Sequence, residues 1–226
     1  LEIIVDRSFL SRIALLAGLL LAAQLPASAT QAQDQDSNRS GRMFFARGAL
    51  GAGYVGLKND DSAGELTIDH VGMYWDLAAG VTVWRDLAVH GTYFGGWAWE
   101  PDIKIDGQTL TNQHGGGKSL GIIGLGPGVT YHFQPINLYL SYSVGLGWSV
   151  LQFHDNVVGG TYGWSSAGFA NELLVGKEWW IGGGMAVGAA AQAVFARVVD
   201  DGGAGATADI NYNSFGGSLL FSASYR

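Results

Sequence analysis

From Arg42 to the last residue, apolar side chains recur at every second position in run after run. A period of two puts successive side chains on opposite faces of a pleated strand, whereas a helix needs a period near 3.6. The clearest run sets Leu138, Leu140, Tyr142, Val144, Leu146, Trp148 and Val150 against Tyr139, Ser141, Ser143, Gly145, Gly147 and Ser149. The first opposes Phe44, Ala46, Leu50, Ala52 and Tyr54 to Arg47, Ala49, Gly51 and Gly53, and the second runs from Val71 to Val83 in the same way. Leu87 to Trp99, Ile123 to Phe133, Phe169 to Val175 and Phe215 to Tyr225 continue the pattern. The remaining run, Gly184 to Arg197, is rich in Ala and suits a helix by propensity. Its Met185, Val187 and Phe195 nevertheless oppose Gly184, Gly188 and Gln192, so an eighth strand is predicted.

The connections alternate in length. Short ones fall at Trp84–Asp86, Gln134–Asn137 and Trp179–Gly183; longer polar ones fall at Leu57–Glu65, Glu100–Lys118, Gln152–Gly163 and Val198–Asp209. Eight strands joined in this way put both ends of the sheet on the short-turn side, as in a transmembrane β-barrel with periplasmic turns and extracellular loops. The distribution of bulk points the same way. A water-soluble barrel buries its large apolar side chains, but here the opposing face is Gly, Ala, Ser, Thr and a few charges. An eight-stranded barrel is only wide enough for side chains to fill. The small face therefore belongs inside, and the bulky face must meet hydrocarbon, where the sheet has to close to pair every backbone group. Aromatics gather near strand ends: Trp84, Phe133, Trp179, Trp180 and Tyr225 on the short-turn side, and Tyr54, Trp97, Trp148 and Phe215 on the other. The expected fold is an all-β, eight-stranded antiparallel up-and-down transmembrane β-barrel over residues 42–226, with a filled polar lumen. A soluble secreted barrel with an apolar ligand cavity is the alternative, and it lacks the polar outer face it would need.

The N-terminal segment reads as an address. Arg7 and Arg12 precede the apolar run Ile13 to Ala23, and Ala27-Ser28-Ala29 supplies a small-x-small cleavage site. Residues 1–29 are therefore expected to be a signal peptide. Residues 30–41 are polar without period and are expected to be a disordered leader. No cysteine is present, so disulfides and thiolate chemistry are excluded. The net charge of −7 argues against a nucleic-acid partner.

Signal peptide, eight alternating runs, loop alternation and an aromatic last strand together resemble the small outer-membrane barrels of Gram-negative bacteria, the OmpA/OmpX-like group. The resemblance implies an outer-membrane location, contact with outer-membrane lipid and lipopolysaccharide, and a monomer. It also implies recognition of the last strand by the outer-membrane assembly machinery. Leu219, Phe221, Ala223 and Tyr225 supply the alternation that the machinery reads, but Arg226 follows where the group commonly ends on Phe or Trp.

Motifs for other functions fail on context. Gly51 to Gly56 matches G-x-G-x-x-G, but Leu57 to Ser62 is a turn signal and opens no helix for a pyrophosphate. Gly117-Lys118-Ser119 lacks the first P-loop glycine, since residue 112 is Asn112. Asp60-Asp61 and Asp200-Asp201 lack calcium-loop spacing and read as solvated loop charge. No cofactor and no metal site are expected. Some members of the resembled group modify lipid A with a Ser or His and an acidic partner; His154-Asp155 is the one pair at a suitable height, and no catalytic set is assigned. The candidate site is a lumen charge network of Arg47, Asp76 and Glu172, with Arg47 expected to pair with Asp76, Glu172 or both. His90 and His132 are expected to point inward near the periplasmic end. The function expected is structural or surface-interacting through the four loops. The alternatives are a narrow channel for small or apolar solutes and a lipid A-modifying enzyme.

Overall fold

A computed structural model describes residues 44–59, 66–105, 108–109, 117–155, 160–200 and 210–226. The expected signal peptide and leader lie outside them, as do Asp60, Asp61, His114 and Asp201. The strands are β1 (Phe44–Asn59), β2 (Leu66–Trp84), β3 (Leu87–Trp99), β4 (Asp102–Ile105), β5 (Gln108–Thr109), β6 (Lys118–Phe133), β7 (Leu138–Asp155), β8 (Gly160–Gly182), β9 (Met185–Asp200) and β10 (Ile210–Tyr225). β4 and β5 form a small antiparallel pair joined to β2; the other eight each pair antiparallel with the next in order, and β1 closes on β10 from Ala46 opposite Tyr225 to Asn59 opposite Tyr212. The result is a closed eight-stranded up-and-down barrel.

The alternation decides which way each strand faces. Leu50, Val71, Leu77, Leu146 and Phe221 stand outward with more than half of their surface exposed, while Asp76, Ser141, Ser143 and Glu172 are completely buried. Large apolar groups outside and charges inside invert the order of a soluble protein. Hydrocarbon around the wall makes the arrangement favourable, because lipid takes the apolar face and closure pairs the backbone. Trp84, Phe133, Trp179 and Tyr225 stand outward at the short-turn end, and Tyr54 and Trp99 at the other. Trp180 does not join them: it follows Trp179 directly, so its parity turns it inward, under the Arg226 guanidinium at 4.6 Å.

The turns correct three other expectations. The third short turn lies at Gly183-Gly184, beyond Trp179 to Gly182, which remain in β8. Gly182, Gly183 and Gly184 all have positive φ, which glycine adopts without the penalty other residues carry. Residues 152–163 are largely strand, since β7 runs to Asp155 and β8 begins at Gly160. The stretch expected as a loop from Glu100 to Lys118 contains β4 and β5. Asp102-Ile103-Lys104-Ile105 alternates, and it pairs with Leu66 to Asp69 of β2. Glu100 takes the left-handed conformation (φ 53°) just before Pro101, and its N–H bonds Lys118 O at 2.9 Å. That corner shifts the register between β3 and β4, and β4 leaves β6 there. The seventh run is β9, as its alternation requires.

Candidate functional site: the filled lumen and its ends

The lumen is built from alternate residues of every strand. Near the short-turn end Arg47 on β1 crosses the interior. Its Nε donates to Asp76 Oδ1 at 2.6 Å and its Nη2 to Asp76 Oδ2 at 3.2 Å. The same guanidinium donates to Thr130 Oγ1 on β6 (3.2 Å) and Ser141 Oγ on β7 (3.1 Å). Phe45 and Tyr139 lie against it, their ring centres 5.8 and 5.3 Å from Cζ. His90 on β3 shares protons with Thr92 (2.6 Å) and Thr130 (2.8 Å), and Ser143 donates to Thr92 at 3.1 Å.

Glu172 stands beside the Asp76 carboxyl and heads a second, adjoining set. Gln192 on β9 donates to its Oε1 at 2.6 Å and to the backbone oxygen of Trp75 at 3.2 Å. Ser218 on β10 in turn donates to Gln192 Oε1 at 2.7 Å. Of the three expected charges, the structure therefore joins Arg47 to Asp76, while Glu172 is held by an amide and forms no ion pair with Arg47. Each of the eight barrel strands contributes at least one side chain to the two sets. Below them Arg226 closes the short-turn end: its Nη2 is 3.1 Å from Glu178 Oε2, and Ser224 donates to Glu178 Oε1 at 2.5 Å. The residue that departs from the aromatic ending of the resembled group thus turns inward onto a buried carboxylate.

The loop-side half corrects the expectation of a polar lumen. Val55, Leu57, Ile68, Tyr74, Phe94, Leu120, Ile122, Leu151 and Val198 fill it, each with essentially no exposed surface. Rings fit here because glycines face them in register. Tyr74 pairs with Gly96 and Phe94 with Gly124, and at either glycine a Cβ would strike the ring. Tyr139 and Gly176 repeat the arrangement in the lower half. Tyr74 also donates to the carbonyl of Tyr54 at 2.8 Å, so its hydroxyl is satisfied within the apolar plug.

Parity already marked Thr130, Ser141, Gln192 and Ser218 as inward, but nothing in one sequence says which of them meet across a barrel. His90 and His132 do face the lumen at the short-turn end and are buried, far from an outer-leaflet lipid. His154 and Asp155 end β7 on the loop side. Among the described residues no three His, Asp or Glu side chains gather as metal ligands.

A closed barrel, an apolar outer belt and a packed interior define a transmembrane β-barrel of the bacterial outer-membrane type. Among solved structures the chain is similar to Ail, the attachment invasion locus protein of Yersinia pestis, solved with the heparin analogue sucrose octasulfate. That match has 11% identity and a TM-score of 0.45 over 78% of this chain and 98% of that one. It is also similar to the outer membrane protein OprG from Pseudomonas aeruginosa (12%, 0.44, 82% and 96%). A third likeness is to the outer membrane protease OmpT from Escherichia coli (8%, 0.43, 81% and 96%). No protein-family model matches the chain, and neither does any curated protein sequence. Closure and strand number here rest on the chain's own pairing registers.

Proposed function

We propose that this protein is a non-conducting outer-membrane scaffold that acts structurally or through surface contacts made by its extracellular loops. The observation that carries the reading is the filled lumen: a hydrogen-bonded ionic layer below and a packed plug of Leu, Ile, Val, Tyr and Phe above. Ions crossing such a plug would need side chains with no exposed surface to move aside. Loops on a rigid barrel are then the part free to vary and to recognise. In this reading residues 1–29 direct export and are removed, residues 30–41 form a leader, and Arg47, Asp76 and Glu172 brace the wall. Planar-bilayer recording of the refolded barrel tests it. The expected trace shows no discrete steps at 100 mV of either sign. Reproducible single-channel steps would overturn the reading in favour of a narrow pore.

A further inference from the structure

On the outer wall, where β10, β1 and β2 meet, the apolar surface is interrupted by a groove of about 430 Å³. Gly48 and Ala223 leave its floor bare, and Leu50, Trp75, Leu77 and Phe221 form its sides. Gly48 pairs with Ala223 on one side and Leu77 on the other, and Ala223 lies two residues before Tyr225. The groove is therefore in the half of the wall next to the short turns, at the depth of the inner leaflet.

Gly48 is not required by the fold. At Gly51 and Gly53 of the same strand, a Cβ would run into the backbone of β10. At Gly48 it would meet nothing nearer than Leu77 Cδ2, at an ordinary 3.6 Å. A glycine within a strand weakens it, so its presence here gives the strand nothing. What the missing side chain provides is a hollow on the outside, continuous with the lipid-facing wall.

We propose that this groove holds one acyl chain of an inner-leaflet phospholipid as a resident ligand. The proposal rests on the outer wall facing lipid. Water does not enter hydrocarbon at this depth, and an unfilled groove forfeits the dispersion contacts of every atom that lines it. A second barrel would present a convex wall and meet Leu50, Leu77 and Phe221 before reaching the floor. An unbranched alkyl chain is narrow enough to lie along Gly48 and Ala223, between those side chains.

Native mass spectrometry of the detergent-solubilised barrel, titrated with palmitoyl-oleoyl phosphatidylethanolamine, tests the proposal. The wild type should retain one phospholipid as the detergent is stripped. Gly48→Leu fills the groove and should lower that adduct about tenfold, the equivalent of losing roughly ten carbon–carbon contacts. Gly91→Leu is the control: Gly91 has open space around its would-be Cβ and does not line the groove, so the adduct should persist. Ala223→Leu fills the same groove from β10 and replaces Gly48→Leu should that variant fail to show a heat-modifiable gel shift. Equal retention by wild type and both groove-filling variants would overturn the proposal. So would a lipid-free dimer mass, which would give the groove to a second copy of the chain.

Discussion

Replacing Arg47 by Met removes a guanidinium that is almost wholly buried and leaves the Asp76 carboxylate, with no exposed surface, without its two charge-assisted hydrogen bonds. Breaking a buried pair from one side costs about 3–5 kcal/mol, because the remaining charge stays desolvated and uncompensated. Thr130 and Ser141 lose a donor as well, but Thr130 still donates to Ser141 at 2.9 Å, so their share is small. The expected loss for Arg47→Met is thus about 4 kcal/mol, and Asp76→Asn should cost a similar amount. The double variant, which removes both members of the pair at once, should recover most of one of these losses, giving a coupling of about 2–3 kcal/mol. Urea titration in lipid vesicles, followed through Trp fluorescence and extrapolated linearly, measures all four corners. A lumen open to water would give a different answer. The pair would then behave like a surface ion pair, worth about 0–1 kcal/mol, and the two losses would simply add. Single losses under about 1 kcal/mol with no coupling would refute the packed lumen, and with it the argument against conduction.

The lipid-facing wall is tested by Leu146→Arg, a change of an outward residue in mid-strand. It should destabilise the barrel in vesicles by about 2–4 kcal/mol, read from the same urea titrations, and no loss would mean that this face does not meet hydrocarbon. Gly124→Ala drives a methyl into the Phe94 ring and should cost about 1–3 kcal/mol, whereas Gly48→Ala should cost nothing and gain up to about 1 kcal/mol. Gly183→Ala at φ 63° should lose about 1–2 kcal/mol by thermal or urea unfolding, although open space surrounds the position.

Period-two alternation sufficed for eight strands, their order and their inward faces, because each strand is half in lipid and half in the lumen and cannot show two faces alike. Parity also excludes Trp180 from the aromatic belt that holds Trp179, because adjacent residues of one strand face opposite ways. The Asp102-Ile103-Lys104-Ile105 strand was hidden by Pro101 and by charges that suit a loop. The apolar plug was harder to see. Small residues dominate the inward positions, and Tyr74 or Phe94 looks like an exception until its glycine partner is known from the register. Pairings across the barrel are not local at all: Arg47 reaches residues 83 and 94 positions away, and only the closed geometry brings them within its span.

The ionic and amide sets draw a side chain from every strand of the wall, and this bears on how a single register is chosen. A slip of one residue in any strand exchanges its two faces. In β2 such a slip would send Asp76 into the bilayer and Leu77 into the lumen; in β8 it would do the same with Glu172 and Leu173. The penalty is a bare carboxylate in hydrocarbon together with an orphaned partner inside. Ladder hydrogen bonds alone are nearly indifferent to such a slide. The buried charges thus act as index pins, Arg47 for β1, Asp76 for β2 and Glu172 for β8, and they leave the chain a single way to close.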